Sequence, residues 1–176
     1  MWMRHCCEKM HIHVQVSSAL EFLVLREAPN SVLECLDGLH QLKSLTVCCP
    51  RYYGPTELEL KADGARDALN NSKYGRIARL TTLRSLAISS AYELSDGGLL
   101  QLTALTSLTR LSIEGCRSYI ATAGGLCDLL PHLPDLRDLS ISDIAVHDDT
   151  LLCIQQLARL TSLHIDDMQH VTHEGG

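Results

Sequence analysis

Aromatic side chains are scarce in this 176-residue chain, at 4% against a hydrophobic content of 45%. Any core it buries must be aliphatic, with leucine dominating, and the length suggests one core in one domain. Apolar runs of roughly eighteen or more residues, as a membrane-spanning helix needs, are missing. The chain also lacks excess positive charge: its net charge is −6 and its pI about 5.8, which argues against a nucleic-acid surface with its usual basic stripe. Neither G-x-x-x-x-G-K-[ST] nor G-x-G-x-x-G occurs, so no phosphate-cradling loop is expected. The opening MWMRHCCEKMHIHV interrupts its apolar residues with charge and histidine, unlike a signal peptide. A cytoplasmic or nuclear protein is expected. In such a setting all eight cysteines should be free thiols, with Cys35, Cys116, Cys127 and Cys153 acting as small buried hydrophobes.

What is present is an internal repeat. Four copies of one aliphatic pattern are clear: Leu83/Leu86/Ile88, Leu108/Leu111/Ile113, Leu136/Leu139/Ile141 and Leu160/Leu163/Ile165. Two weaker copies precede them, Leu20/Leu23/Leu25 and Leu42/Leu45/Val47. The middle leucines Leu23, Leu45, Leu86, Leu111, Leu139 and Leu163 are separated by 22, 41, 25, 28 and 24 residues. The phrases ARLTTLRSL, TALTSLTRL, PHLPDLRDL and ARLTSLHI keep a common phase. Within each copy the last two aliphatics should share one face of a short strand, and alternation sends the residue between them to the other face.

Between strands the spacing becomes helical, as in LLQLTAL, LCDLLPHL and LLCIQQLARL. Ser31-x-x-Glu34 fits a capping box, and Ser95-Asp96, Thr122 and Asp148-Asp149 offer N-cap oxygens. Gly97-Gly98 and Gly124-Gly125 recur in phase at the starts of these helices and read as tight entry into them. The fold expected is α/β, a right-handed solenoid with parallel strands on its concave side and helices on its convex side. Residues 1–19 should form an N-terminal capping strand, with Met10, Ile12, Val14 and Val16 alternating with polar residues. The repeats should fill 20–176, irregular at 49–75. In that stretch Leu58–Leu60 reads as a strand, 65–70 as a helix and Asn71–Gly75 as a loop. After Ile165 the chain ends where another convex helix should begin, so the last repeat reads as truncated and the chain as a fragment.

The segment Leu108-x-x-Leu111-x-Ile113-x-x-Cys116, with the phrases LSDGGLLQLTALTSLTRLSIEGC and VTHEGG, resembles leucine-rich repeats of the cysteine-containing or ribonuclease-inhibitor-like type, as found in F-box leucine-rich-repeat proteins. The resemblance spans roughly residues 20–176. It implies a non-enzymatic interaction module that binds a protein partner on its concave face. For F-box members that role is substrate recognition for an SCF-type ubiquitin ligase; the alternative is a regulatory or inhibitor-type scaffold with no ubiquitin link. The family's ninth position, Asn or Cys, is Ala28, Pro50, Ala91, Cys116, Ile144 and Met168 in the six copies, so only Cys116 conforms. Most turns must then satisfy their backbone amides in another way.

Phase also picks out the working surface. The residues between the strand aliphatics are Val24, Thr46, Ala87, Ser112, Ser140 and His164, flanked by outward positions such as Arg26, Ser89 and Ser142. This is a face of small residues that turns acidic toward the C-terminus, suited to a partner with basic groups. The expected partner-binding residues are Arg110, Ser112, Glu114, Asp138, Ser140, His164 and Asp166. No catalytic residue, cofactor or metal is expected, nor any nucleic-acid or membrane partner, and the chain should be a monomer. His5, Cys6, Cys7, His11 and His13 come nearest to a metal cluster, but their spacing fits no structural zinc site. His147-Asp148-Asp149 reads as a helix start, and Cys48-Cys49 has no electropositive setting to activate a thiolate.

Overall fold

The computed structural model of the chain describes residues 19–26, 33, 36–49, 73–92, 94–116 and 121–166. Six short strands, β1 (Phe22–Arg26), β2 (Ser44–Cys48), β3 (Ser85–Ser89), β4 (Arg110–Ile113), β5 (Asp138–Ile141) and β6 (Ser162–Ile165), form one sheet in chain order. Every neighbouring pair is parallel. Leu23, Leu45, Leu86, Leu111, Leu139 and Leu163 stand opposite one another in one continuous row, and Val24, Thr46, Ala87, Ser112, Ser140 and His164 form the next. A slip of one residue would expose the leucines and bury the polar row, so the aliphatic alternation itself fixes this register.

Among the described residues four helices lie between the strands: α1 (helical at 73–78), α2 (Asp96–Gln101), α3 (Ala123–Leu129) and α4 (Asp148–Gln155). Parallel strands need such crossovers. The helices α2, α3 and α4 pack on one another in chain order, and their apolar sides join the inward strand residues in one continuous core. That core is aliphatic as the composition requires, with Tyr74 the aromatic exception among the described residues.

The backbone hydrogen bonds repeat as regularly as the sequence. Ahead of β3 the amide of Leu80 donates to Ile77 O and that of Leu83 to Leu80 O. The same two bonds recur at Leu36/Leu39/Leu42, Leu102/Leu105/Leu108, Leu130/Leu133/Leu136 and Ile154/Leu157/Leu160. At the start of each strand from β2 to β6 two successive amides share one carbonyl of the preceding unit: Thr109 and Arg110 donate to Arg84 O, and Arg137 and Asp138 to Thr109 O. Two positions beyond the last inward aliphatic the chain turns through positive φ at Ser90 (56°), Gly115 (72°) and Asp143 (62°). Stacking is tight there, since a Cβ on Gly115 would lie 3.0 Å from the Ser90 Cα.

The structure departs from the sequence reading in several places. Residues 73–75, expected in a loop, belong to α1; burying Tyr74, Ile77 and Ala78 on one helical stripe outweighs the local turn signals. Ser95 and Thr122 are the N-caps of α2 and α3, their hydroxyls accepting from Gly98 N and Gly125 N at 3.3 Å each. The N-cap of α4, by contrast, is His147, with Asp148 and Asp149 inside the first turn, where carboxylates favour the dipole.

The glycine pairs lie, as expected, in the first turns of α2 and α3. Their second members sit within helices against the preceding unit: a Cβ on Gly98 would meet Tyr74 Cδ2 at 2.8 Å, and one on Gly125 would meet Asp96 Oδ1 at 2.2 Å. Close helix approach is what they permit.

The expectation that all eight cysteines are free is overturned by a disulfide between Cys127 of α3 and Cys153 of α4, with Cα atoms 5.5 Å apart. The helical spacing that made both look like core residues places them side by side on adjacent helices, half-buried rather than buried.

At the ninth position Ala91, Cys116 and Ile144 are all buried. The turn amides find other acceptors: Ala91 N donates to Glu114 O at 2.9 Å and Gly115 N to the Asp143 carboxylate at 3.0 Å. Leu163 keeps the inward register but is 45% exposed, because no further unit covers it among the described residues. The expected capping strand at 1–19, the Ser31/Glu34 box, the 58–60 strand, the 65–70 helix and the final repeat past 166 fall wholly or almost wholly outside the described residues.

Candidate functional site: the open face of the sheet

Alternation along each strand leaves one sheet face for the core and one for solvent. On the open face, Thr46, Ala87, Ser112 and Ser140 form a half-buried row of small side chains across β2–β5. Its ends differ. At β1, Phe22 and Val24 are 69% and 57% exposed, a large apolar surface for two adjacent outward positions. Toward β6 the flanking side chains are charged.

Arg110 Nε donates to Asp138 Oδ2 at 2.9 Å across the β4–β5 pair, since the register sets these residues opposite one another. Both side chains are well exposed, so the pair stabilises the fold by on the order of 1 kcal/mol or less. Ser112 Oγ lies 3.1 Å from a Glu114 carboxylate oxygen, and His164 Nε2 lies 3.3 Å from Asp166 Oδ2. Six of the seven expected partner-binding residues are thus joined in three side-chain pairs, and Ser140 sits between Ser112 and His164 in the central row. All seven lie on the open side or at the strand ends that border it.

The remaining titratable groups have structural surroundings. Burial, with the Asp143 carboxylate and Cys49 nearby, pushes the Cys116 thiol from 9.0 up to about 12. That thiol is a hydrophobe at ordinary pH rather than a nucleophile. Asp96 accepts from both the backbone N and the hydroxyl of Thr122, at 2.7 and 2.8 Å, which ties α2 to the start of α3. Lys43–Glu21, Arg79–Asp37 and Arg159–Asp135 link successive units in the same manner.

Among the described residues no group of three or more His, Cys, Asp or Glu is placed to hold a metal ion, and no helix is long and apolar enough to cross a membrane. The His5–His13 cluster lies outside them. The exposed Phe22 at the far end of the face was missed in the sequence. Its signal was available, since Phe22 lies two positions before Val24, on the same side of the strand. The Cys127–Cys153 pair was missed too; its separation of 26 residues is close to one repeat step, which sets residues side by side on neighbouring helices.

No family model matches the chain, and a search of curated proteins returns no match.

Proposed function

We propose that this chain is a leucine-rich-repeat solenoid that acts without catalysis, binding another protein on its open strand face. The in-register leucine row and the hydrogen bonds repeated at constant phase support the repeat reading. One observation carries the binding reading: a continuous row of small side chains, with exposed Phe22 and Val24 at one end and Glu114, Asp138 and Asp166 at the other. Small residues let a partner approach the sheet closely. The apolar end offers area to bury, and the carboxylates steer and register a partner with basic groups.

By resemblance in the phrases around Cys116, the leading cellular role is substrate recognition for an SCF-type ubiquitin ligase. A regulatory or inhibitor-type scaffold is the alternative. The test is capture from native extract with wild-type protein and with the paired Arg110→Ala and Asp138→Ala variant. Because that pair adds little stability, the circular dichroism spectrum should be unchanged while specific proteins drop out of the captured set. An identical captured set would remove the open face from consideration. Recovery of the ligase adaptor separates the first role from the second.

A further inference from the structure

The α4–β6 unit is weakly held at its end of the described array. Helix α4 buries only Thr150 and Ile154, whereas α3 buries Gly125, Leu126 and Leu129 and continues into buried Leu130. Strand β6 pairs along one edge only among the described residues, and Leu152 and Leu163 are 57% and 45% exposed. Units with few buried apolar contacts are those that open locally below the global unfolding free energy. At this unit, and nowhere else among the described residues, a covalent cross-link ties one helix to the next.

We propose that Cys127–Cys153 is a reversible thiol–disulfide clamp: closed, it holds α4–β6 against α3; reduced, it lets that unit open while β2–β4 stay folded. The position suits exchange. Both residues are half-buried rather than sealed in the core, so a small disulfide or dithiol can reach them, in contrast to buried Cys116. Closure proceeds with a low-molecular-weight disulfide as oxidant. One protein thiolate attacks a sulfur of that disulfide and releases one small thiolate. The other protein thiolate then attacks the mixed disulfide and releases the second. Two protein thiols are oxidised and one small disulfide is reduced to two thiols. In the closed form the Cα atoms are 5.5 Å apart, within the ordinary span of the bond, so the packed helices hold it without backbone distortion. His164 and Asp166 ride on or beside β6, so the clamp would also gate the acidic end of the open face; that last step alone rests on the binding reading above.

The experiment is hydrogen exchange read by mass spectrometry on the full chain without a partner. Oxidised wild type, dithiol-reduced wild type, Cys127→Ser and Cys153→Ser would be compared. Amides in residues 148–166 should exchange faster by at least about tenfold in the reduced protein and both variants, with β2–β4 unchanged. Oxidised glutathione should restore protection to reduced wild type only. Equal exchange in oxidised and reduced protein would overturn the clamp, as would loss of protection throughout the sheet or failure of the reduced thiols to re-form the bond. None of these outcomes depends on whether the open face binds a protein.

Discussion

Replacing Gly125 by Ala sets helix propensity against interhelical packing, and the two predict opposite signs. Both Gly124 and Gly125 lie in the first turn of α3. Propensity alone favours Ala at either by about 1 kcal/mol. At Gly124 nothing opposes this: the site is exposed, and its Cβ would meet only Thr122 Oγ1 at an ordinary 3.4 Å. At Gly125 the new Cβ would lie 2.2 Å from Asp96 Oδ1 and 2.5 Å from its Cγ, so the carboxylate must leave. It would give up the Thr122 backbone and hydroxyl donors now at 2.7 and 2.8 Å. Hydrogen bonds to a charged group are each worth about 1.5–3 kcal/mol, and at this half-buried site the lower end applies, giving a loss of about 3 kcal/mol. Net of propensity, Gly125→Ala should destabilise by about 2 kcal/mol and Gly124→Ala should stabilise by about 0.5–1 kcal/mol. Urea midpoints at matched m-values measure both. In an Asp96→Ala background the cost of Gly125→Ala should vanish, the signature of a direct pairwise effect. A Gly125→Ala protein as stable as Gly124→Ala, or a cost that persists without Asp96, would refute the reasoning.

Three further outcomes follow from burial. Leu111→Asp should abolish the cooperative thermal transition, since it places an unpartnered carboxylate at a 1% exposed position in the middle of the leucine row; an unchanged midpoint would show that Leu111 is not inward. Leu139→Ala should cost about 2–5 kcal/mol and Leu163→Ala less than half as much, although both occupy the same row; equal costs would mean that β6 is covered as fully as β5. The Cys116 thiol holds its proton more tightly folded than unfolded. Its stabilising effect is therefore complete below pH 9.0 and lost as pH rises toward about 12, so Cys116→Ala should flatten that alkaline decline relative to wild type.

The sequence disclosed the sheet in detail because one rule governs it: inward aliphatics two residues apart, renewed at each copy. Every inward leucine expected to share a row does so. Residues joined by side chains between units were harder to see. Asp96 reads as a helix-start acid in one repeat, and only the stacked structure brings it to Thr122 and under Gly125 in the next. Cys127 and Cys153 likewise look like separate core positions until neighbouring helices are laid together. The α1 region was misread because Asn, Ser and Gly near 71–75 are strong local turn signals, and the burial of Tyr74 and Ile77 that overrides them depends on partners distant in the chain. The open face was legible by subtraction: once the inward row is known, Ser112, Ser140 and His164 have only one side left.

The carbonyl that receives two amides at the start of each strand from β2 to β6 has a consequence for how such a chain can change length. Arg84 O serves Thr109 and Arg110, and Thr109 O in turn serves Arg137 and Asp138. Each module thus presents to its successor the same socket that it occupied in its predecessor. A duplicated module spliced in at a strand start would find its place ready-made, whereas an insertion of one residue inside a strand would rotate everything downstream out of alignment. Growth by whole modules is cheap for this architecture, and growth by fractions is not.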